Sequence, residues 1–313
     1  MSHFMPPDPH PLDYDWRFTR ETVDKLSQLF DDHESVLSLG VPSLIRKHQE
    51  LDNRVFLVDR QPLHWSNFHS LVDVDVDLPL CKSFDAAVID PPWYIENTIR
   101  WISWSAQHLA IGSKIYISLW PELTRPQAIE ERKNLFEWLT SWADFEIKSN
   151  FFCYETPVFE MRASEVSDDN VLEDWRFGDL LVIKIKEIPP LSKAITKTEL
   201  WHRFVIDDYQ LALRVNHHDV LPAKIIMHPL ANGWYWPSVS RRAIGREVID
   251  LWSSQNKVGT VIGSANALEI LRFHLGLSDK VPSSAADSFL TVLQQWNIPN
   301  KPYKRVMEWQ HLA

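Results

Sequence analysis

Glycine is scarce in this chain: eight residues in 313, where an average composition of about 7% would give roughly 22. Gly40, Gly112 and Gly178 are the only ones before position 230. Neither a G-x-x-x-x-G-K-[ST] phosphate loop nor a three-glycine dinucleotide fingerprint can be built from them. Cysteine is scarcer still. Cys81 and Cys153 exclude a disulfide scaffold and a Cys-based zinc site, which need about four thiolates or a Cys/His cluster at set spacing. No window approaches the ~18 uninterrupted apolar residues of a membrane span. The opening MSHFMPPDPHPLDYDW has neither the basic start nor the apolar run of a secretory signal. The expectation is a cytoplasmic protein with no membrane partner.

What the chain has instead is apolar bulk: 45% hydrophobic residues and 15 tryptophans. That excludes disorder, collagen and coiled coil, and the length suits roughly two domains. The net charge of −10 is unevenly spread, because residues 191–313 carry 14 Lys/Arg against 10 Asp/Glu, leaving 18 against 32 in residues 1–190. A polyanion would meet the C-terminal part first, although such an excess is also ordinary surface composition.

From 34 to 187 short apolar runs alternate with amphipathic stretches, which reads as strands separated by crossover helices. The runs are SVLSLG (35–40), RVFLVDR (54–60), LVDVDVDL (71–78), FDAAVIDPPW (84–93) and KIYISLWP (114–121), closed by FEIKSNFFCYETPVFEM (145–161) and DLLVIKIKEI (180–188). Helices are expected over 95–110 and 125–143, and one over 19–33 capped by Thr19 or Thr22. Trp101, Trp104 and His108, like Trp138 and Trp142, fall at helical spacing and read as core. The order is that of an open α/β sheet with an antiparallel end. Residues 162–177 read as an exposed loop and IPPLSKAITKT (188–198) as a linker. The expected division is an N-terminal arm and helix (1–33), an α/β domain (34–189) and a C-terminal domain (190–313) of strands with at least three helices.

One motif carries chemistry. Asp90-Pro91-Pro92-Trp93 follows an apolar strand and precedes a helix. At the carboxyl end of a strand in an open α/β sheet, side chains reach the crevice where ligands bind. A carboxylate accepts from an N–H, two prolines stiffen the turn and leave carbonyls facing the crevice, and an aromatic face stacks on a ring. The set suits holding a planar amine. Read alone, Asp-Pro-Pro also starts ordinary turns.

With this motif after its fourth strand, the chain resembles class I S-adenosylmethionine-dependent methyltransferases that carry [D/N/S]-P-P-[Y/F/W], notably N6-adenine methyltransferases, over about 34–187. The motif is unpermuted, similar to the probable N6-adenine methyltransferase group, whose members act on RNA adenine or protein lysine. The resemblance implies a Rossmann-like seven-stranded sheet and S-adenosylmethionine as cofactor; the runs after 190 add a mixed α+β C-terminal domain, and no metal is expected. It places Ser38, Leu39 and Gly40 at the cofactor loop and Asp59 against the ribose hydroxyls. One of Asp73, Asp75 or Asp77 falls at the adenine amino group, Asp75 being our choice. Asp90, Pro91, Pro92 and Trp93 fall at the amine, with Tyr94 as a neighbouring substrate contact. The loop departs from the family's G-x-G, since Val41-Pro42 follows Gly40 and would crowd the backbone, although Pro42 and Ser43 suit a first helical turn. The expected activity is methylation of an amino group, adenine N6 first. Protein lysine, polyamine aminopropyl transfer (whose enzymes carry an acidic loop that this chain lacks) and a catalytically silent binding subunit remain as alternatives.

Trp234 and Trp236, followed by Arg241 and Arg242, set aromatics beside basic residues, as single-stranded nucleic acid requires. The competing reading is tryptophans in a core and arginines on a solvated helix face. RNA or DNA, and a protein partner, are the expected macromolecules. His217, His218 and His228 lack the companions of a metal site.

Overall fold

The computed structural model describes residues 17–44, 54–60, 69–156, 176–207, 209–228, 245–255, 257–282 and 286–312. The chain divides into two compact units, one formed by Trp16–Thr156 with Glu173–Thr196, the other including Lys197–Ala313.

The first unit runs β1 (Arg17–Phe18), α1 (Arg20–Leu29), β2 (Val36–Leu39), β3 (Val55–Asp59), β4 (His69–Leu71), β5 (Phe84–Ile89), α2 (Ile95–Ala106), β6 (Leu109–Leu119), α3 (Ala128–Thr140), β7 (Ala143–Glu155) and β8 (Arg176–Ile185). These strands make one sheet in the order β1-β7-β8-β6-β5-β2-β3-β4. The pairs among β4, β3, β2, β5 and β6 are parallel, and β8, β7 and β1 add antiparallel pairs. The sheet thus has eight strands among the described residues, not seven, because two residues before α1 pair with the end of β7.

Alternation along the strands sends side chains to two cores. Leu37, Leu39, Ala87, Ile89, Ile115 and Ile117 pack with Ile102 and Trp104 of α2 and Leu135 and Leu139 of α3. Val36, Ala86, Val88, Tyr116, Leu180 and Val182 face the other way, toward Val23 and Leu26 of α1. Apolar burial on both faces is what a parallel sheet requires. Helix α1 therefore belongs with the sheet rather than to a separate arm. Thr19 caps it, accepting from the Thr22 N–H at 3.3 Å, while the Thr22 hydroxyl bonds the backbone of Cys153 in both directions, at 2.9 and 3.2 Å.

Two local expectations change. LVDVDVDL is strand only at its start: Asp73 turns the chain, its carbonyl accepting from the Val76 and Asp77 N–H groups and its carboxylate from Asp75 N–H. Aspartate side chains that bond nearby backbone out-compete the alternating pattern. In β7 the register against β8 shifts between Lys148 and Phe152, with Asn150 at φ 51° and its N–H donated to the Asp179 carboxylate at 2.9 Å. That is a bulge of two extra residues.

The second unit is a six-stranded sheet, order β11-β13-β12-β10-β9-β14, all pairs antiparallel. Its strands are β9 (Leu200–Ile206), β10 (Tyr209–Arg214), β11 (Lys224–His228), β12 (Leu251–Ser253), β13 (Val258–Ile262) and β14 (Val306–Leu312), with helices α4 (Ser264–His274) and α5 (Ala286–Gln294). Phe204, Leu211, Leu251 and Val261 pack against Leu268 and Leu271 of α4 and Phe289 and Leu293 of α5. The described part of SRRAIGREVIDLWSSQ is a single 3-10 turn (Arg246–Val248) followed by β12. Among the described residues no helix is long and apolar enough to cross a membrane.

Candidate active site

Strand order in the first unit reverses at β2: β3 and β4 lie on one side of it, β5 and β6 on the other. The carboxyl ends of β2 and β5 therefore flank the switch-point crevice where open α/β sheets bind ligands. Asp90 follows β5 directly, and its N–H donates to the carbonyl of Leu39, the last residue of β2, at 3.1 Å. The motif is thereby pinned to the neighbouring strand.

Around Asp90 the structure assembles residues that sequence reasoning did not find. The Tyr154 hydroxyl, from β7, donates to Asp90 Oδ1 at 2.8 Å. Ser118, from β6, makes a short hydrogen bond to the same hydroxyl, so the proton order is Ser118 to Tyr154 to Asp90. Tyr154 is buried, and burial first, then the Asp90 charge, pushes its pKa well above the usual phenol value; Arg176 and Ser118 work against this. It stays a neutral donor. Trp93 meets the Tyr154 ring edge to face, with centroids 5.8 Å apart, and the Arg176 guanidinium lies 4.1 Å from the Trp93 ring centroid. Gly178 makes room for this: a Cβ there would stand 3.0 Å from Ser118 Oγ and 3.3 Å from Trp93 Cζ2. It lies inside β8, whereas the sequence places it just before the strand read over 180–188, and a glycine within a strand goes with close approach of a neighbour. The Pro92 carbonyl, expected to face the crevice unpaired, accepts from the Tyr94 N–H at 2.7 Å. Tyr94 itself is the residue from which α2 starts.

The loop after β2 needs only its one glycine. Gly40 takes φ +66°, a left-handed conformation, and an added Cβ would come within 2.9 Å of the Trp101 ring. Helical backbone begins at Pro42, and Val41, rather than crowding the crevice, is buried in the α1-side core. Ser38 and Leu39 are buried within β2, and the Ser38 hydroxyl donates to the Val41 carbonyl at 3.1 Å. Their side chains shape the loop from beneath. Asp59 ends β3 and is partly exposed.

Asp75 departs from expectation. Its carboxylate is buried and accepts from Asn97 Nδ2 at 2.9 Å and Trp101 Nε1 at 2.8 Å, fastening α2 to the 73–77 turn. Arg100 reinforces that fastening through the carbonyls of Val74, Asp77 and Ser192. The stripe on α2 is core as read: Trp104 is fully buried, and His108 accepts the Leu80 N–H on Nε2 while Nδ1 faces the Trp104 carbonyl at 2.9 Å. Burial lowers the His108 pKa, which matches a neutral ring.

Trp234, Trp236, Arg241 and Arg242 lie outside the described residues. His228 hydrogen-bonds Thr260 at 2.7 Å, and among the described residues no cluster of three or more His, Cys, Asp or Glu could hold a metal.

The fold and site together define a doubly wound α/β protein whose switch-point crevice presents a braced carboxylate beside an aromatic ring. No protein-family model matches the sequence, and no curated protein matches it. Among solved structures the chain is similar to the branched-chain polyamine synthase from Thermus thermophilus in complex with N4-aminopropylspermidine and 5'-methylthioadenosine, at 17% identity and TM-score 0.47 over 59% of this chain and 62% of that one. It spans about three fifths of that enzyme's length. It is similar also to the N-methyltransferase NodS from Bradyrhizobium japonicum WM9 with S-adenosyl-l-homocysteine, at 13% identity and TM-score 0.34 over 53% and 86%. A third is the plantazolicin methyltransferase BpumL with SAH, at 15% identity and TM-score 0.35 over 53% and 82%. Likeness at this level carries no argument about chemistry, which has to come from the side chains.

Proposed function

We propose that this protein is an S-adenosylmethionine-dependent N-methyltransferase whose substrate is an exocyclic amino group, adenine N6 of a nucleic acid. The observation that carries the reading is the Asp90 carboxylate at the switch point, held by the Tyr154 hydroxyl at 2.8 Å next to Trp93. The residues fit the cofactor at two places: the single-glycine loop leading into a helix start at Pro42, and Asp59 at the end of β3, suited to ribose hydroxyls. Asp75 gives no such support, being engaged by Asn97 and Trp101.

When bound, S-adenosylmethionine supplies an electrophilic methyl group on a sulfonium. Asp90 accepts an N–H of the substrate amine and favours the tetrahedral nitrogen as positive charge develops there. Tyr154, kept protonated, fixes the carboxylate without competing for the proton. Trp93 orients the ring that bears the amine, and a duplex base would have to be extruded to reach it. The nucleic-acid partner rests on the basic excess after residue 191 and on the Trp234–Arg242 stretch in the sequence.

The binding of Asp75 to Trp101 favours a second reading, a methyltransferase-like binding subunit without catalysis. Calorimetric titration with S-adenosylmethionine separates the two. Heat from the intact protein, lost in Asp59→Ala, with labelled-methyl transfer to RNA or DNA lost in Asp90→Ala, is the expected result. An intact protein that gives no heat ends the enzyme reading; transfer to protein extract alone ends the adenine assignment.

A further inference from the structure

The proposed mechanism leaves one charged side chain in the site unused. Arg176 opens β8, and its guanidinium carbon lies 4.1 Å from the centroid of the Trp93 ring and 5.4 Å from that of Tyr154. Tyr154 in turn bonds Asp90. A fixed cation therefore stands against the aromatic residue of the amine-binding motif, one phenol away from its carboxylate.

The geometry points to Arg176 as a specificity-determining residue that sets the charge of the accepted amine: neutral amines on planar rings enter, and ammonium groups are turned away. This inference rests on the amino-group reading above and narrows it. Asp90 and Trp93 alone would attract an ammonium, the carboxylate by charge and the ring by its quadrupole. Arg176 removes both attractions. It occupies the ring as the cation, and its positive charge, one phenol from the carboxylate, opposes that of Asp90. A neutral exocyclic amine loses nothing by this, because its bond to Asp90 is a hydrogen bond rather than an ion pair. Its ring can also stack on a guanidinium plane as well as on an indole. Lysine side chains and polyamines, charged at neutral pH, fall on the excluded side.

The test uses the full chain with saturating S-adenosylhomocysteine and two probes, adenosine and spermidine, titrated calorimetrically into the intact protein, Arg176→Gln and Arg176→Glu. The intact protein should favour adenosine by about tenfold or more. Arg176→Glu should shift the ratio toward spermidine by about another tenfold, with Arg176→Gln between the two, as a charge effect of this size requires. Unchanged thermal melting shows that the variants are folded, and a purely structural role would not order the three proteins by charge. Spermidine bound as tightly as adenosine by the intact protein overturns the inference, as does an unchanged ratio in Arg176→Glu or no binding of either probe. S-adenosylhomocysteine heat is read separately. Its absence counts against the methyltransferase reading, and in that case the two probes are titrated again without it, so that their ratios still judge Arg176.

Discussion

Both sheets bury satisfied ion pairs, Arg132 with Asp179 at 2.7 Å in the eight-stranded one, but one line of polar groups in that sheet has no counterpart described in the other. In the eight-stranded sheet Ser118 of β6, Tyr154 of β7 and Asp90, just past β5, form a line that ends at the switch-point crevice. In the six-stranded sheet the charged groups close on one another. Glu308 accepts from His202 at 2.7 Å and from Arg272 at 2.6 to 3.0 Å. Arg214 joins Asp250 and Glu199 at 2.7 to 3.0 Å. Burial tends to raise the Glu308 pKa, and the bonds from His202 and Arg272 more than offset it, so the group sits below the ordinary carboxylate value. A line of donors with an open end can act on something else; ion pairs that satisfy one another hold strands and helix together. Under the proposed function the open line is the part that does chemistry and the paired groups are scaffolding.

Four substitutions press on that contrast. The largest effect is expected at the open end: Asp90→Ala should lower methyl transfer by about 10²- to 10³-fold, some 3–4 kcal/mol of barrier, with S-adenosylmethionine heat retained. If cofactor binding vanishes too, Asp90 is scaffolding and the contrast fails. In the closed network, Glu308→Ala leaves Arg272 without its carboxylate and removes the partner of His202 Nδ1, on a ring whose Nε2 has none among the described residues. A loss of about 2–3 kcal/mol in urea unfolding should follow, with cofactor heat unchanged.

Gly178→Ala tests the packing beneath the site. A methyl at 3.0 Å from Ser118 Oγ and 3.3 Å from Trp93 should destabilise by about 1–2 kcal/mol, and lower transfer more than cofactor affinity. The smallest effect concerns His108. Its pKa is lowered in the fold by burial, so on acidification the unfolded chain takes up a proton that the folded one refuses. Stability is complete above the unfolded value of about 6.5 and declines below it, by at most about 1.4 kcal/mol per pH unit for one group. Urea midpoints between pH 8 and 5.5 should fall less steeply for His108→Gln than for the intact protein.

Much of the first unit could be read from the sequence because parallel strands buried on both faces write themselves as short apolar runs, and the run ending in Asp90 was placed correctly. The third strand was misjudged for a physical reason: Asp73, Asp75 and Asp77 alternate with valines as a strand would, yet they bond their own backbone and α2. The brace on Asp90 was illegible because Tyr154 and Arg176 lie 64 and 86 positions away on antiparallel strands. Periodicity gives the face of a strand but not its neighbour in the sheet. Gly178 reads in the sequence as lying before the last strand; its place inside β8 and its use, room for Trp93, required the sheet order.

The bulge in β7 has a consequence for chain length. Lys148 pairs with Leu180 and Phe152 with Gly178, so four steps along β7 match two along β8. Because the excess is even, removing two residues from 149–151 would restore an uninterrupted ladder and still leave Tyr154 opposite Arg176. Removing one would turn Phe152 and Tyr154 to the other face and withdraw the hydroxyl from Asp90. The stretch should therefore tolerate length changes in pairs and reject them singly, a parity rule that deletion variants can read directly.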